Sequence, residues 1–449
     1  VLPVRGVDNI ISLTAGVVQE ADAIFIRGGR QDEVGYYLEG ANIKNPELGG
    51  RAVTIPQDAL EEIQVQAGGY TAEYGGANSG IIRQQLKSGA NQFNASFEFI
   101  TDNITFKSKD DIFDGEQRLG TTWFGYNEMS GVISGPLLDP KYRFFLNANY
   151  VYNRDLNPQP YPGINLGNVV DPVSKDSVML DYSAGPVRNN SSDVISYAGT
   201  LTFDFSPVSL RLAGTFSDLR QDLVNNAESR NTTPILSFLN PRVGERDVSN
   251  GSFSAKITHV ISPKVFYEVL GGYYLENLED FDKYLNEDFW SYGDSVANAN
   301  AGWVWERSQK DIDGGKLGRY QTPTIRNVLG FGFNGYGEVP VNYQKRDRQG
   351  LNFSAAMTYF AGKSHTVKLG GEYQQYTLRR WTITGQDDLA SLLDSRLQAN
   401  PEGNVDQIKR DLLITNGVNN YGYDVYGNKI DSDYDDPLTS FNDGEYFGP

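Results

Sequence analysis

The 449-residue sequence predicts a mostly β fold, a small α+β domain followed by a large antiparallel transmembrane β-barrel, and three observations carry that reading. From Asn91 onward the hydrophobic period is two and stays two. Phe93, Ala95, Phe97 and Phe99 share one strand face while Asn94, Ser96 and Glu98 share the other, the lipid-out and lumen-in pattern of a barrel wall. Short turns alternate strictly with long polar loops, as outer-membrane barrels place short turns on one side and long loops on the other. Aromatic residues make up 12% and Gly numbers 48, which suits many strands, turns and aromatic girdles. No stretch approaches the roughly 18 apolar residues of a membrane helix, and the repeat of about 40 residues expected of a propeller is missing.

Composition removes other classes. Cys is absent, so there is no disulfide framework, thiolate metal site or thiol nucleophile. His259 and His365 both sit in alternating strands, which leaves no HExxH and no Ser-His-Asp set. A net charge of −18 argues against nucleic acid. The chain is not expected to be an enzyme, and no cofactor is expected.

Taken in order, residues 24–27 alternate as a strand, and Gly28-Gly29 break it. A second strand covers 34–38 and ends at Glu39-Gly40. Residues 41–54 are rich in turn formers and read as a surface loop. Pro56 opens a one-turn helix, and 61–66 form a strand that Gly68-Gly69 end.

The phrases IFIRGGR, YYLEGA, IPQDALEEIQVQAGGYTAEYGG, NSGIIRQQL and KSGA follow one another between Ile24 and Ala90. Together they resemble the plug domain of TonB-dependent outer-membrane transporters, within them the receptors that follow a carboxypeptidase-like regulatory domain. Glu39-Gly40 stands where the family usually has Asp-Gly, and Ser79-Gly80-Ile81-Ile82-Arg83-Gln84 where Gly-Gly-Val-Ile-Asn-Ile is usual. The resemblance implies a plug at 1–90, with a small helix at 7–13 whose apolar side is Leu2, Ile10, Ile11 and Leu13 and a last plug strand at 78–86, and a barrel from 91 to 449, with the TonB-contacting box upstream. It implies TonB-energised uptake across the outer membrane of a Gram-negative bacterium, of an oligosaccharide, peptide or siderophore. TonB in the periplasm and outer-membrane lipid and lipopolysaccharide are the implied partners. A structural or adhesive protein whose loops hold a surface lipoprotein or other outer-membrane partner is the alternative.

By position, the implied ligand contacts are Asn42, Lys44, Asn45 and Arg51 on the plug, with Trp290, Trp303 and Trp305 above. For the three tryptophans a lid packing its own rings is the equal alternative. Arg27, Arg30, Glu61, Glu62 and Arg83 are expected between plug and wall, with solvated charges as the alternative.

Wall strands are expected at 125–137, 142–153, 193–206, 208–220, 247–262, 264–278, 343–361 and 364–381, nine with the one at Phe93. A complete 22-stranded wall needs roughly 900 residues at this spacing, so the chain reads as a plug with an incomplete N-terminus plus the first part of a barrel. Short amphipathic helices are expected at 387–399 and 404–413. The GxGxxG match at 330–335 lacks a following helix and reads as loop. Asp431, Asp433 and Asp435 start with calcium-loop spacing, but Asp436 and Asn442 replace the required Gly and Glu. That leaves only a loose Ca²⁺ site open.

Overall fold

The computed structural model describes residues 6–20, 23–71, 73–102, 117–118, 121–122, 125–155, 163–185, 189–223, 242–333, 337–362, 364–383 and 385–430. The N-terminal domain opens with helix α1 (Val7–Ser12) and the hairpin β1 (Val17–Glu20) and β2 (Ala23–Ile26). Strands β3 (Val34–Leu38), β4 (Ala41–Asn42), β5 (Leu60–Gln66) and β6 (Gly80–Leu86) form a four-stranded sheet in the order β4-β3-β6-β5. The β3 and β6 pair is parallel. Parallel strands are covered on both faces, and all five residues of β3 are buried. Ile24, Ile26, Tyr36, Leu38, Ile82 and Leu86 make the main core of this domain.

From residue 94 the chain builds one ten-stranded antiparallel sheet, ordered β22-β21-β20-β17-β16-β15-β14-β11-β10-β7. Its strands are β7 (Asn94–Thr101), then, after the small pair β8 (Gln117–Arg118) and β9 (Thr121–Thr122), β10 (Tyr126–Pro136) and β11 (Tyr142–Asn153). A separate hairpin, β12 (Ile164–Val170) and β13 (Ser177–Tyr182), interrupts the long connection that follows. The sheet resumes with β14 (Ser192–Asp204), β15 (Val208–Leu223), β16 (Gly244–Ser262) and β17 (Val265–Asp282). Helices α2 (Ser295–Asn300) and α3 (Gln309–Asp313) and the hairpin β18 (Arg326–Val328) and β19 (Phe331–Phe333) come next. Then follow β20 (Gln344–Ala361), β21 (His365–Ile383), α4 (Gln386–Ala399), α5 (Val405–Thr415) and β22 (Val418–Tyr421).

The nine expected wall strands are present, and β22 adds a tenth by pairing with the outer end of β21. That strand has only four residues, too few for alternation to mark it. The GxGxxG match begins within the β18–β19 hairpin, which agrees with a loop.

Alternation sorts the wall into two faces. Phe97, Ile133, Leu146, Phe216, Phe253 and Leu369 are exposed on the outer face, as lipid requires. The opposite face carries polar side chains that bond across strands: Asn147 Nδ2 donates to Ser130 Oγ at 3.2 Å, Asn149 Nδ2 to Glu128 Oε1 at 2.9 Å, and Ser196 Oγ to Ser217 Oγ at 3.1 Å. The N-terminal domain packs on that polar face through Phe145, Ala198, Ala213 and Tyr274.

Close approach of the two domains needs small residues on the wall. A Cβ added at Gly272 would stand 2.5 Å from Ala41 Cβ, whereas one added at its neighbour Gly271 meets nothing within 4 Å. Gly272→Val is therefore expected to destabilise the protein by about 1–3 kcal/mol through overpacking, with Gly271→Val much nearer neutral, read by chemical unfolding of the two variants.

Candidate functional site

The site is the interface between the N-terminal domain and the polar face of the wall, and the connections at the long-loop ends of the strands fold into a separate unit, the lid. Its firmest contact is made at the tight turn after β3. Glu39 takes a left-handed φ of 56° and Gly40 one of 93°, which turns the Glu39 carboxylate toward the wall. Arg211 Nε donates to Glu39 Oε2 at 2.7 Å and Arg211 Nη2 to Glu39 Oε1 at 2.9 Å. The same carboxylate accepts Leu86 N–H at 2.7 Å, and Arg211 also donates to Leu86 O and Ser88 Oγ, each at 2.7 Å. The side chains are 6% and 15% exposed, so nearly every polar atom of a buried pair is satisfied.

Toward the long loops the contacts continue along loop 42–54. Thr54 N–H donates to Asn250 Oδ1 at 2.7 Å, Tyr274 Oη donates to Lys44 O at 3.1 Å, and Asn42 Nδ2 donates to Gln374 Oε1 at 3.4 Å. Arg348 Nε and Nη2 donate to Glu47 Oε2 at 2.9 and 2.7 Å. On the short-turn side, Lys368 pairs with Glu73 and Thr200 Oγ1 donates to Lys87 O at 2.8 Å.

The lid is two packed layers. Phe289, Tyr292, Val341, Tyr343, Trp381, Leu389, Leu412 and Leu413 form an apolar core that joins the 283–343 segment to α4 and α5. Beside it lies a fully buried ion pair: Arg242 donates from Nε to Asp282 Oδ2 and from Nη2 to Asp282 Oδ1, each at 2.7 Å. Farther out, the β12–β13 hairpin is bolted to the β18–β19 hairpin. Asp171 Oδ2 accepts Leu329 N–H at 2.8 Å, Asp176 accepts Gln309 N–H at 2.6 Å and Asn327 N–H at 3.0 Å, and Val178 packs with Val328 and Phe333.

The structure redistributes the expected site residues. Loop 41–54 is not the surface loop its composition suggests, because the wall wraps it: Asn42, Ile43, Asn45, Ala52 and Val53 are buried. Asn42 Oδ1 accepts Lys44 N–H, and Asn45 Oδ1 accepts Glu47 and Leu48 N–H, so both amides hold the turn. Lys44 Nζ is spent on Asp32 O and, at 3.0 Å, Gly76 O, and burial lowers its pKa against the pull of Asp32 and Glu33. Arg51 pairs with Asp8 of α1 at 3.1 Å.

Trp303 and Trp305 are buried in the lid rather than offered to a ligand. Trp303 meets Tyr284 edge to face, Trp305 Nε1 donates to Gly337 O at 3.1 Å, and Trp290 packs on the lid core under Lys409. The lid alternative is thus the one the rings adopt.

The expected plug–wall charges are also placed otherwise. Arg30 is 75% exposed and pairs with Asp32 inside its own domain, Arg83 donates to Gln64 and lies over Tyr74, and Glu62 accepts from Gln64. Arg27 and Glu61 are exposed. Among the described residues the charges that bridge to the wall are Glu39, Glu47 and Glu73. No local pattern marks those three, since their partners lie 172, 301 and 295 residues away. Asp431, Asp433 and Asp435 lie outside the described residues. Among the described residues no cluster of three His, Cys, Asp or Glu is placed to hold a metal.

Comparison with known proteins agrees with the sequence reading. Residues 2–81 match the family of the TonB-dependent receptor plug domain. The TonB-dependent transporter Oar of Myxococcus xanthus is 25% identical over 227 residues, covering 47% of this chain and 21% of that protein. The chain thus spans about a fifth of the curated relative it matches. Among solved structures, the outer-membrane transporter YddB of Escherichia coli is similar with a TM-score of 0.49 at 11% identity, over 80% of this chain and 42% of that one. The alcaligin outer-membrane receptor FauA of Bordetella pertussis is similar with a TM-score of 0.46 at 10% identity, over 84% and 44%.

Removing one partner of the buried clamp leaves the other charge stranded. Arg211→Leu is expected to cost about 3–5 kcal/mol, and adding Glu39→Leu to recover most of it, measured by chemical unfolding with proteolysis of residues 1–90 as a local readout. The lid has an acid limit. Burial opposes ionisation of Asp294 and Asp311, but Arg319 with Val296 N–H, and Thr324 N–H with Ser308, outweigh it and hold both carboxyls below their usual range. Depressed carboxylate pKa values contribute stability at neutral pH that is lost as pH falls below about 4 through the folded values. Four of the five tryptophans lie in or against the lid. Acidification from pH 7 to 3 should therefore red-shift tryptophan emission, and Asp311→Asn should flatten that response.

Proposed function

We propose, for a chain that carries the plug of a TonB-dependent receptor and sits in a Gram-negative outer membrane, that it takes up a ligand through the barrel with energy delivered by TonB in the periplasm. The observation that carries this reading is a plug tied to the wall by discrete charge pairs and hydrogen bonds, Glu39–Arg211, Glu47–Arg348 and Thr54–Asn250 among them, beside an apolar contact at Phe145, Ala198, Ala213 and Tyr274. Such contacts hold the plug firmly at rest and can be exchanged one at a time. An apolar interface of the same extent has no comparable stepwise release.

Ligand meets the lid first, then the top of loop 42–54, where Glu47 and Leu48 remain exposed. Pulling from the periplasmic side then strains the Glu39–Arg211 clamp and the Glu73–Lys368 pair. No bond is made or broken. The cargo is proposed to be an oligosaccharide, peptide or siderophore, and the wall to be bathed in lipid and lipopolysaccharide.

The rival reading, an adhesive outer-membrane protein that holds a surface lipoprotein or other partner, is favoured by one feature. The joined hairpins of the lid expose Val173, Leu329 and Phe331, at 88%, 58% and 65%. The test is depletion of candidate cargo from the medium by cells carrying the full-length protein, with and without TonB. Uptake predicts depletion that stops when TonB is deleted. Cargo binding that persists at the surface with no TonB-dependent depletion would remove the transport reading in favour of the adhesive one.

A further inference from the structure

On its outward face the wall is hollowed by a cavity of about 840 Å³, and no plug residue lines it. Gly131 on β10, Ala148 on β11, Gly199 on β14 and Gly214 on β15 make the floor, with Gly131 paired to Ala148 and Gly199 to Gly214 across adjacent strands. Ile133, Leu146, Tyr197 and Phe216 stand around it, each between 41% and 49% exposed. All four floor strands are paired on both sides, so the hollow does not arise from an edge of the sheet. It lies in the middle of the apolar band, since Gly199 sits on β14 between Phe203 at the short-turn end and Asp193 at the long-loop end.

Strand geometry does not ask for an open floor here, because Gly weakens a strand and uncovers its backbone. At Gly199 the missing side chain is replaced by a neighbour: an added Cβ would stand 2.8 Å from Leu146 Cδ2. Gly131 has no such neighbour among the described residues, since the nearest atom to an added Cβ is Ala148 O at 3.9 Å. The floor at Gly131 is therefore open to the bilayer. Water does not fill an apolar cavity, and an engineered one of about 150 Å³ takes up benzene. A hollow several times larger that faces hydrocarbon is filled by hydrocarbon, because an empty one forfeits the dispersion contacts of its whole lining.

We propose that this hollow is a seat for one acyl chain of a phospholipid from the periplasmic leaflet. The two margins of the outward face choose the leaflet. At the long-loop margin Arg220 lies between its cross-strand partners Asp193 and Asp247, with Glu245 at 3.4 Å and Asp218 on the same side, so the phosphates of lipid A would meet carboxylates. At the short-turn margin Tyr142, Phe203 and Phe205 contact one another beside Asp139, Lys141 and Asp204. Rings with both signs of charge suit a zwitterionic phosphoethanolamine head group, and a chain rising from it reaches the floor in the middle of the band. On the reverse of the same strands Val132, Phe145, Ala198 and Ala213 pack against the plug core. The seated chain thus braces from outside the strands that hold the plug from inside. This rests on the wall facing lipid and not on TonB-driven uptake.

The experiment is native mass spectrometry of the full-length protein in neutral detergent, titrated with palmitoyl-oleoyl phosphatidylethanolamine and, in a parallel series, with lipid A. Gly131→Leu fills the open floor. Gly271→Leu adds the same side chain on the same outward face away from the cavity, where an added Cβ meets nothing within 4 Å. Wild type and Gly271→Leu should each retain one phosphatidylethanolamine more than Gly131→Leu does. That lipid should raise their unfolding midpoints and leave the midpoint of Gly131→Leu where it was. Equal midpoints of the three proteins before lipid is added serve as the folding control. Equal lipid retention by all three overturns the seat, and preference for lipid A overturns the leaflet. A mass of two protein chains that Gly131→Leu reduces to one replaces the acyl chain by a second copy. None of these results involves TonB, so their failure leaves uptake standing, while loss of TonB-dependent depletion leaves the lipid seat standing.

Discussion

A carboxylate and a guanidinium, Glu39 and Arg211, decide how the two domains sit together. Each would be costly to bury alone, and each is surrounded by further donors and acceptors that complete its shell. Because the pair is almost closed to water, its geometry is exact, and it fixes where the plug sheet meets the wall. Other contacts follow from that placement: Ala41 comes against Gly272, Lys87 and Ser88 reach Thr200 and Arg211, and loop 42–54 is carried up the lumen toward β16, β17 and β20.

The wall itself answers to the membrane. Lipid cannot satisfy backbone groups, so the strands must be long and paired throughout, and the sheet is continuous over ten of them. Its outer face carries isolated large apolar side chains. Its inner face carries serine, threonine and asparagine that bond across strands, interrupted where Phe145, Ala198, Ala213 and Tyr274 meet the core of the second domain and where Arg211 and Arg348 reach its carboxylates.

Beyond the wall the chain changes its physical logic. The connections between β17 and β20 and after β21 have no barrel to stabilise them, so they fold as small domains with ordinary cores. Their aromatic residues serve that purpose. Trp303 stands against Tyr284 and near Arg242, and Trp381 meets Phe289 and Tyr343. Aspartates act as bolts: Asp171 and Asp176 take backbone N–H groups of a segment more than a hundred residues away, which makes one lid of two separate loops.

The sequence by itself determined the class of fold, the order of the plug elements and the position of nine wall strands, because each depends on a local pattern. Period-two alternation marks a strand with one wet and one greasy face, Gly pairs mark turns, and short turns against long loops give the strands their direction. It also marked the helices near 387–399 and 404–413, whose leucines repeat at helical spacing. Only the tertiary structure decided which charges join plug to wall, since Glu39, Glu47 and Glu73 look no different in sequence from Glu61 and Glu62 on an exposed strand. Their roles come from partners hundreds of residues distant. The same holds for burial. Asn42, Asn45 and Trp303 have residue types that suit a surface loop or a ligand platform, and they are interior because a wall and a lid, built elsewhere in the chain, close over them.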